Sequence, residues 1–346
     1  MVDAVQDIDP EDPAEVAEAA GLKYVSDAEP GIRRVARGRG FSYVRPNGST
    51  VPGRERDRIE GLAIPPAWTD VWISPDPEAH LLATGRDDAD RKQYRYHDRW
   101  RAIRDAMKFE RMAEFGERLG PVRRDVEGYL ADHGLPRSRV LAAVVRLLDR
   151  SLIRIGNEEY AADNETFGAT TLLSEHVQRE RGGVHLVFPG KGGVERDIAL
   201  SDEPLVRVID TCLETPHEDL FWYRTTGGTA DVTSDDVNEF LQELAGDEFS
   251  AKDFRTWGGT AVAAGHLVEG PPPAAKGARE AELLAALDAA AERLGNTRAV
   301  CRACYVAPQV GLAYETEQLL EAWRSSRRTR WLDRIERTTG KVLRPA

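Results

Sequence analysis

Residues 296–305 read NTRAVCRACY and end on Tyr305, the residue around which the rest of the chain is best interpreted. Four cationic residues upstream of this stretch suit the binding of a phosphate; they are Arg154, Lys191, Lys252 and Arg255. Together with the amide of Asn296, the chain thus offers one phenol, two guanidiniums, two ammoniums and one amide. The pKa of a tyrosine, about 10, falls beside cations, so a phenol among them can act as a nucleophile.

This inventory suits attack of a tyrosine hydroxyl on a phosphodiester. Arg154 and Arg255 can neutralise the nonbridging oxygens of the transition state, and Asn296 can donate a third hydrogen bond. Lys191, in a glycine-rich turn, can protonate the departing oxygen, and Lys252 shares a helical face with Arg255. A lone arginine is usually a surface charge and a Gly-Lys-Gly turn usually a plain hairpin, so the inference depends on the whole set. The set predicts an enzyme that breaks and rejoins DNA strands with fixed cations in place of a metal and with no cofactor.

Length and composition predict two ordinary globular domains. The chain has 346 residues, of which 41% are apolar and 31% charged. No apolar run approaches the length that spans a bilayer, and the acidic N-terminus lacks the features of a secretion signal. Three cysteines indicate a reducing compartment, and Cys301 and Cys304 are interpreted as a helical pair without zinc. These features predict a cytoplasmic, nucleoid-associated protein.

A net charge of −12 is unusual for a DNA-binding protein, but the charge is unevenly distributed. Residues 1–30 carry nine acidic residues against one lysine, whereas residues 31–60 carry eight arginines against three acidic residues. Residues 324–344 carry eight basic residues against two acidic ones, which fits either a DNA contact or a solvated face. Local patches rather than the total set the affinity for phosphate.

The pattern along the chain predicts an α+β fold. Residues 1–25 read as an acidic tail or a short exposed helix, 26–98 as a small β-rich N-terminal domain, and 99–346 as a mainly helical domain. Strands are predicted at 41–44, 71–74 and 93–96, and a hairpin at 184–188 and 194–198 with Lys191 at its tip. Helices are predicted at 140–152, 234–244, 251–267, 279–294, around 304 and from 315 to about 337.

Several segments of the chain match a known family in order. They are IPPAWTDVWIS at 64–74, RKQYRYH at 91–97, RIGNEEY at 154–160 and DNETFG at 163–168. Lys191 follows Arg154 by 37 residues, and Tyr305 follows Asn296 by nine. From about residue 30 to its end, the chain resembles the short, poxvirus-and-bacterial branch of the type IB DNA topoisomerases.

The resemblance implies a β-rich domain and a mainly helical catalytic domain of the tyrosine recombinase/topoisomerase IB type, acting as a monomeric clamp around duplex DNA. It implies relaxation of supercoils through a 3′-phosphotyrosyl intermediate, strand rotation and religation, without ATP or metal. The catalytic set would be Arg154, Lys191, Arg255, Asn296 and Tyr305. DNA contacts would come from Arg91, Lys92, Gln93, Tyr94, Tyr96, Tyr160 and Lys252. Some family members have His in place of Asn296, and Cys304 stands where serine or another small residue is expected.

Two alternatives remain open at this stage. A tyrosine recombinase or integrase shares the nucleophile, but such enzymes usually read His-x-x-Arg where this chain has Lys252 and Arg255, and usually carry a helical N-terminal domain. An inactive DNA-binding clamp is the second alternative, against which the complete residue set argues.

Overall fold

The computed structural model describes residues 12–158, 161 and 165–344. By internal contacts the chain divides into two compact units, Met1–Lys108 and Phe109–Ala346. About half of the described chain is helical and the rest includes small antiparallel sheets, which confirms the α+β class. No helix among the described residues is long and apolar enough to cross a membrane.

The N-terminal unit is built on a five-stranded antiparallel sheet in the order β2-β1-β3-β4-β5. Its strands are β1 (Ile32–Arg37), β2 (Gly40–Val44), β3 (Thr69–Ile73), β4 (Leu81–Arg86) and β5 (Lys92–Tyr96). The core contains Ile32, Ile73 and Ala83 from the sheet, together with Ile59 of α2 (Gly53–Gly61). The three predicted strands are present. β1 escaped the sequence pattern because only its first residue, Ile32, is buried, so its sequence shows no apolar alternation.

The segment predicted as a tail or a short exposed helix contains α1 (Pro13–Ala19). This helix is not exposed on all sides, since Val16 and Ala17 are fully buried in a cluster with Leu22 and Trp100. The apolar residues of an otherwise acidic segment are what bind it to the unit. Residues 1–11 lie outside the described part of the chain.

The second unit is mainly helical. Its helices are α3 (Asp98–Leu130, which begins in the first unit), α4 (Arg137–Ser151), α5 (Glu203–Leu213), α6 (Ser234–Ala245), α7 (Ala251–Leu267), α8 (Lys276–Leu294), α9 (Arg298–Cys304), α10 (Pro308–Glu315), α11 (Gln318–Ser325) and α12 (Arg334–Leu343). α4 lies at the centre and packs against α5, α6 and α7. Eleven of its 15 residues are buried, which explains the dense apolar pattern that predicted it.

A three-stranded antiparallel sheet, β6-β7-β8, interrupts the helices. It comprises β6 (Val177–Glu180), β7 (Gly183–Pro189) and β8 (Glu195–Leu200), and a separate hairpin joins β9 (Trp222–Thr225) to β10 (Gly228–Asp231). β7 and β8 form the predicted hairpin, with Phe188 opposite Arg196. Gly192 and Gly193 adopt φ of +79° and +73° beside Lys191, a left-handed conformation that favours glycine.

The prediction of one continuous helix from Glu315 to about Arg337 is wrong. α10 ends at Glu315, α11 ends at Ser325, and α12 begins only at Arg334. A capping box starts α12, because the Asp333 carboxylate accepts the Glu336 N–H and the Glu336 carboxylate accepts the Asp333 N–H, each at 2.8 Å. The local hydrogen bonds of this cap favour a new helix start over continuation.

Candidate active site

Arg154 lies in the segment that follows α4, and backbone hydrogen bonds fix that segment. The Arg154 carbonyl accepts the Ala169 N–H at 2.8 Å, and the Ile155 carbonyl accepts the Thr170 N–H at 2.7 Å. At Gly168, a Cβ would lie only 2.6 Å from the Arg154 carbonyl oxygen. Two stretches of backbone therefore pack directly on each other, which explains the glycine in the 163–168 motif and holds the Arg154 main chain in place.

Arg255, on α7, is the most deeply buried of the predicted cations, with 3% of its surface exposed. Its Nη1 donates to the Leu152 carbonyl, and its Nη2 donates to the Leu294 carbonyl at 3.0 Å. Burial lowers the pKa of Arg255 and the nearby Arg154 lowers it further, whereas Tyr305 acts in the opposite direction. The guanidinium is thus anchored by the ends of α4 and α8 and is electrostatically suited to an anion.

Asn296 lies in the turn after α8, where Gly295 adopts a left-handed φ of +60°. Its Oδ1 accepts a hydrogen bond from Arg154 Nη2 at 2.5 Å. Its Nδ2 is buried and makes no hydrogen bond in the described part of the chain. Burial raises the pKa of the neighbouring Cys301 thiol, while the Asn296 side chain works to lower it. Because Arg154 occupies the amide oxygen, the NH₂ group remains available as a donor.

Tyr305 follows α9, and its ring is half-buried against Arg255. The Arg255 Cζ lies 5.0 Å from the ring centroid. The Tyr305 carbonyl accepts from Thr260 Oγ1 at 3.1 Å, and its N–H donates to the Cys301 carbonyl at 3.0 Å. At Gly259, a Cβ would lie 3.0 Å from the Tyr305 carbonyl oxygen. α7 therefore carries Arg255 and also supports the backbone of Tyr305.

The two predicted lysines are not in contact with this group. Lys191 is exposed at the β7–β8 turn and Lys252 is exposed in the first turn of α7. Neither forms a hydrogen bond or ion pair with any residue that the structure describes. The structure thus brings four of the predicted residues into two contacting pairs, Arg154 with Asn296 and Arg255 with Tyr305. It leaves Lys191 and Lys252 on the surface.

Arg196, on β8, is a component of the site that sequence analysis missed. Its Nη2 donates to the Arg293 carbonyl at 3.3 Å. Burial lowers the pKa of Arg196, and repulsion from Arg154 and Arg293 lowers it further. Sequence analysis also missed Gly259 and Thr260, which contact the Tyr305 backbone. A signal was present, because Gly258 and Gly259 are consecutive glycines inside a helical pattern. Each destabilises a helix by about 1 kcal/mol relative to alanine, so such a pair indicates a close contact.

The site carries positive charge that no carboxylate among the described residues neutralises. Within residues 12–158, 161 and 165–344, none of Arg154, Arg196 and Arg255 forms an ion pair with an aspartate or a glutamate. Arg154 adds to the effect of burial in lowering the pKa of both Arg196 and Arg255, and guanidiniums this close together are stabilised when an anion binds. The arrangement fits a phosphate group, to which guanidinium and amide donors bind well.

Residues predicted to contact DNA from the N-terminal unit are paired with carboxylates. Arg91 Nη2 lies 2.7 Å from Asp87, which also accepts from Gln93 Nε2 at 2.9 Å. Lys92 Nζ lies 2.6 Å from Asp27. Hydrogen bonding to Arg91 keeps the pKa of the Asp87 carboxyl below its usual range. These cations would have to exchange their carboxylates for phosphates on binding DNA.

The two tyrosines of β5 share one face of the strand. Their rings stack with centroids 5.8 Å apart, and Tyr94 is 45% exposed. Tyr96 is half-buried and stacks on Trp100 at 6.2 Å. Tyr94 is therefore available to a partner, whereas Tyr96 also has a packing role. Tyr160, another predicted contact, lies outside the described residues.

The structure contains a group of three side chains that could hold a metal, whereas the sequence had predicted no such cluster. The ligand atoms of His217, Asp219 and Asp231 lie within 4.8 Å of one another. His217 Nε2 lies 2.5 Å from Asp231 Oδ1, so a hydrogen bond accounts for much of this proximity. Burial raises the pKa of the Asp219 carboxyl. The group contains none of the predicted catalytic residues.

Comparison with known proteins gives the family. A family model described as the catalytic core of eukaryotic DNA topoisomerase I matches residues 97–320, and one described as the N-terminal domain of bacterial DNA topoisomerase IB matches residues 40–87. The chain therefore belongs to the type IB DNA topoisomerases, enzymes of the isomerase class whose substrate is DNA. The first match spans Arg154 to Tyr305, and the family decides against the recombinase alternative.

Two relatives agree with this assignment. DNA topoisomerase 1B of Acanthamoeba polyphaga mimivirus is 31% identical over 237 residues, which cover 66% of this chain and 70% of that protein. DNA topoisomerase 1 of Mycosarcoma maydis is 27% identical over 182 residues, covering 47% of this chain and 18% of that protein. The predicted resemblance and enzyme class are thus confirmed.

Proposed function

We propose that this chain relaxes supercoiled duplex DNA by transient cleavage of one strand through Tyr305, without ATP or metal. The observation that carries this proposal is the contact between the Tyr305 ring and Arg255, whose charge no carboxylate of the described chain neutralises. Such a pair suits a nucleophile that attacks a phosphate held by the same guanidinium. The remaining residues complete a phosphate site around it.

In the proposed cleavage step, Arg154, Arg255 and Asn296 bind the nonbridging oxygens of the scissile phosphate. The Nδ2 of Asn296 and the Nε of Arg255 are both buried without a hydrogen-bond partner in the described residues, and a phosphate would satisfy such donors. Preorganised donors of this kind stabilise the charge of the transition state without reorganisation. The phenol loses its proton to solvent as its oxygen bonds to phosphorus.

The bond from phosphorus to the 5′ oxygen then breaks, and Lys191 supplies a proton to that oxygen. The exposed turn between β7 and β8 gives this lysine freedom to reach the leaving group once DNA is bound. Lys252, in the first turn of α7, would add a contact to a neighbouring phosphate. Religation is the reverse: the 5′ hydroxyl attacks the phosphotyrosyl bond and Lys191 recovers its proton.

Between the two steps the tyrosine holds the 3′ end, and the free 5′ end rotates about the intact strand. The energy of the broken bond is kept in the phosphotyrosyl link, so torsional strain is the only driving force that the cycle needs. The catalytic fold would be of the tyrosine recombinase/topoisomerase IB type. We infer a monomeric clamp on nucleoid DNA, formed by a β-rich domain at 26–98 and a catalytic domain at 99–346.

In such a clamp, β5 would face a DNA groove. Arg91 and Lys92 would exchange their carboxylate partners for phosphates, and Gln93 would reach a base edge. The exposed ring of Tyr94 supports this assignment. Because Asp87 and Asp27 compete for these cations, their contribution to affinity is smaller than that of unpaired arginines.

The experiment that tests this function compares the unmodified chain with Tyr305→Phe, which keeps the ring and loses the nucleophile. The unmodified chain should form an SDS-stable adduct on the 3′ side of the break and relax plasmid, whereas the variant should bind DNA but do neither. Tyr314→Phe, which removes another largely buried hydroxyl, is the matched control and should keep both activities. An adduct on the 5′ side, or one that persists in Tyr305→Phe, would refute the mechanism, and an unmodified chain without adduct would indicate an inactive clamp.

A further inference from the structure

The side chain of Arg196 runs between the two turns that carry Lys191 and Asn296. Its stem lies across Gly190, where a Cβ would come within 3.0 Å of Arg196 Cγ. Its guanidinium lies on Gly295, where a Cβ would fall only 2.0 Å from Nη1 and 2.9 Å from Cζ. Any side chain larger than glycine at this position would displace the guanidinium.

The turn under the guanidinium is the one that presents the amide of Asn296. Gly295 ends α8 in a left-handed conformation, and the Asn296 N–H donates to the Ala291 carbonyl at 2.9 Å. Arg196 adds a hydrogen bond to the Arg293 carbonyl, which belongs to the same helix end. The last four carbonyls of a helix have no regular partner within the helix, and a guanidinium is a fitting donor to them.

We propose that Arg196 is a positioning residue of the active site, whose planar guanidinium holds the Gly295–Asn296 turn so that the Asn296 amide meets the scissile phosphate. This inference rests on the proposed function and assigns a role to a residue outside the predicted catalytic set. Arg154 holds the Asn296 side chain through Oδ1, and Arg196 packs on the backbone of Gly295, the preceding residue. Both restraints act on an amide whose donor must lie within hydrogen-bond distance of a phosphate oxygen.

The repulsion that Arg196 experiences from neighbouring arginines supports a functional role for this residue. Arg196 is placed near two like charges, Arg154 and Arg293, and none of the carboxylates that the structure describes forms an ion pair with it. A role as a helix cap alone would leave this repulsion between like charges uncompensated. Beside a phosphate site, the same charge is compensated when DNA binds.

The test measures single-turnover cleavage of a short duplex whose cleaved end dissociates, so that religation does not contribute. Arg196→Gln should cleave about 10- to 100-fold more slowly than the unmodified chain, since a misplacement of 1 Å costs about 100-fold. Arg196→Lys keeps the charge but loses the planar group over Gly295, and should remain about tenfold slow. Arg179→Gln, on β6 of the same sheet, removes an exposed arginine paired with Asp210 at 3.0 Å and should leave the rate unchanged.

A double-mutant cycle with Asn296→Ala separates positioning from an independent contribution. Asn296→Ala alone should cost about 100- to 1,000-fold, the range for one oxyanion donor. Adding Arg196→Gln to it should cost less than about threefold more, because the residue through which Arg196 acts is gone. Fully multiplicative effects, or a normal rate for Arg196→Lys, would overturn the proposal in favour of a simple extra cation.

Separate control experiments distinguish a folding defect from a failure of the proposed function. Thermal melting and noncovalent DNA binding show whether each variant is folded. If Arg196→Gln does not fold, the cleavage rates of Arg196→Lys and of its double mutant with Asn296→Ala test the proposal instead. Failure of the unmodified chain to form an adduct would refute the proposed function itself. Normal cleavage by Arg196→Gln beside an active unmodified chain would refute only the role of Arg196.

Discussion

Gly259 offers a direct test of how α7 positions the nucleophile. A Cβ at this position would lie 3.0 Å from the Tyr305 carbonyl oxygen and 2.9 Å from Leu294 Cδ1. The leucine side chain can rotate away, but the carbonyl belongs to the backbone of the nucleophile. Since ordinary contacts begin near 3.4 Å, Gly259→Ala should push that backbone by about 0.4 Å.

This displacement sets the expected size of the effect. If 1 Å of misplacement costs about 100-fold, then about 0.4 Å costs roughly 5- to 10-fold in the rate of cleavage. Alanine is favoured over glycine in a helix by about 1 kcal/mol, but overpacking costs about 1 to 3 kcal/mol, so the free energy of unfolding should fall by about 0 to 2 kcal/mol. DNA binding should be unchanged, because no phosphate donor is removed.

Gly265 on the same helix provides the control. The nearest atom to a Cβ there is Ile335 Cγ1 at 3.6 Å, an ordinary contact. Gly265→Ala should therefore raise the free energy of unfolding by about 0.5 to 1 kcal/mol and leave cleavage unchanged. The assay is single-turnover adduct formation together with denaturant unfolding of both variants. If Gly259→Ala behaves like Gly265→Ala in both measurements, α7 does not set the position of Tyr305.

Three further predictions concern cofactors, the general acid and stability. Plasmid relaxation should proceed in EDTA without ATP, and strict dependence on either Mg²⁺ or ATP would contradict the role of the fixed cations. Lys191→Ala should slow cleavage by roughly 100- to 10,000-fold, and a 5′-bridging sulfur, which leaves without a proton, should rescue this variant but not Arg255→Ala; equal rescue of both would make Lys191 a phosphate contact. Arg123→Ala should lower the free energy of unfolding by about 3 to 5 kcal/mol, because it leaves two largely buried carboxylates unpaired. The melting temperature should therefore fall by about 6 to 20 °C. Arg124→Ala, which removes an exposed ion pair, should change the melting temperature little.

The sequence by itself determined the elements whose signals are local. α4 follows a helical apolar pattern and begins after Pro136, and α7 begins after Ser250, whose N–H donates to the Asp253 carboxylate at 2.8 Å. The β7–β8 hairpin and the position of Lys191 follow from a glycine-rich turn flanked by β-prone residues. Such features depend on residues a few positions apart, so a single sequence contains them. The four residues of the two contacting pairs were also predicted from the sequence, through their chemistry and the family resemblance.

Only the tertiary structure decided how these residues meet. Arg154 and Asn296 are joined across 142 residues of chain, and Arg255 is anchored by the carbonyls of Leu152 and Leu294, which any residue type could supply. Arg196 could not be predicted from the sequence, because its proposed role depends on the packing of its guanidinium on Gly295 rather than on a motif. Backbone carbonyls and close approaches carry no residue-type signature, so contacts of this kind depend on the three-dimensional arrangement of distant segments.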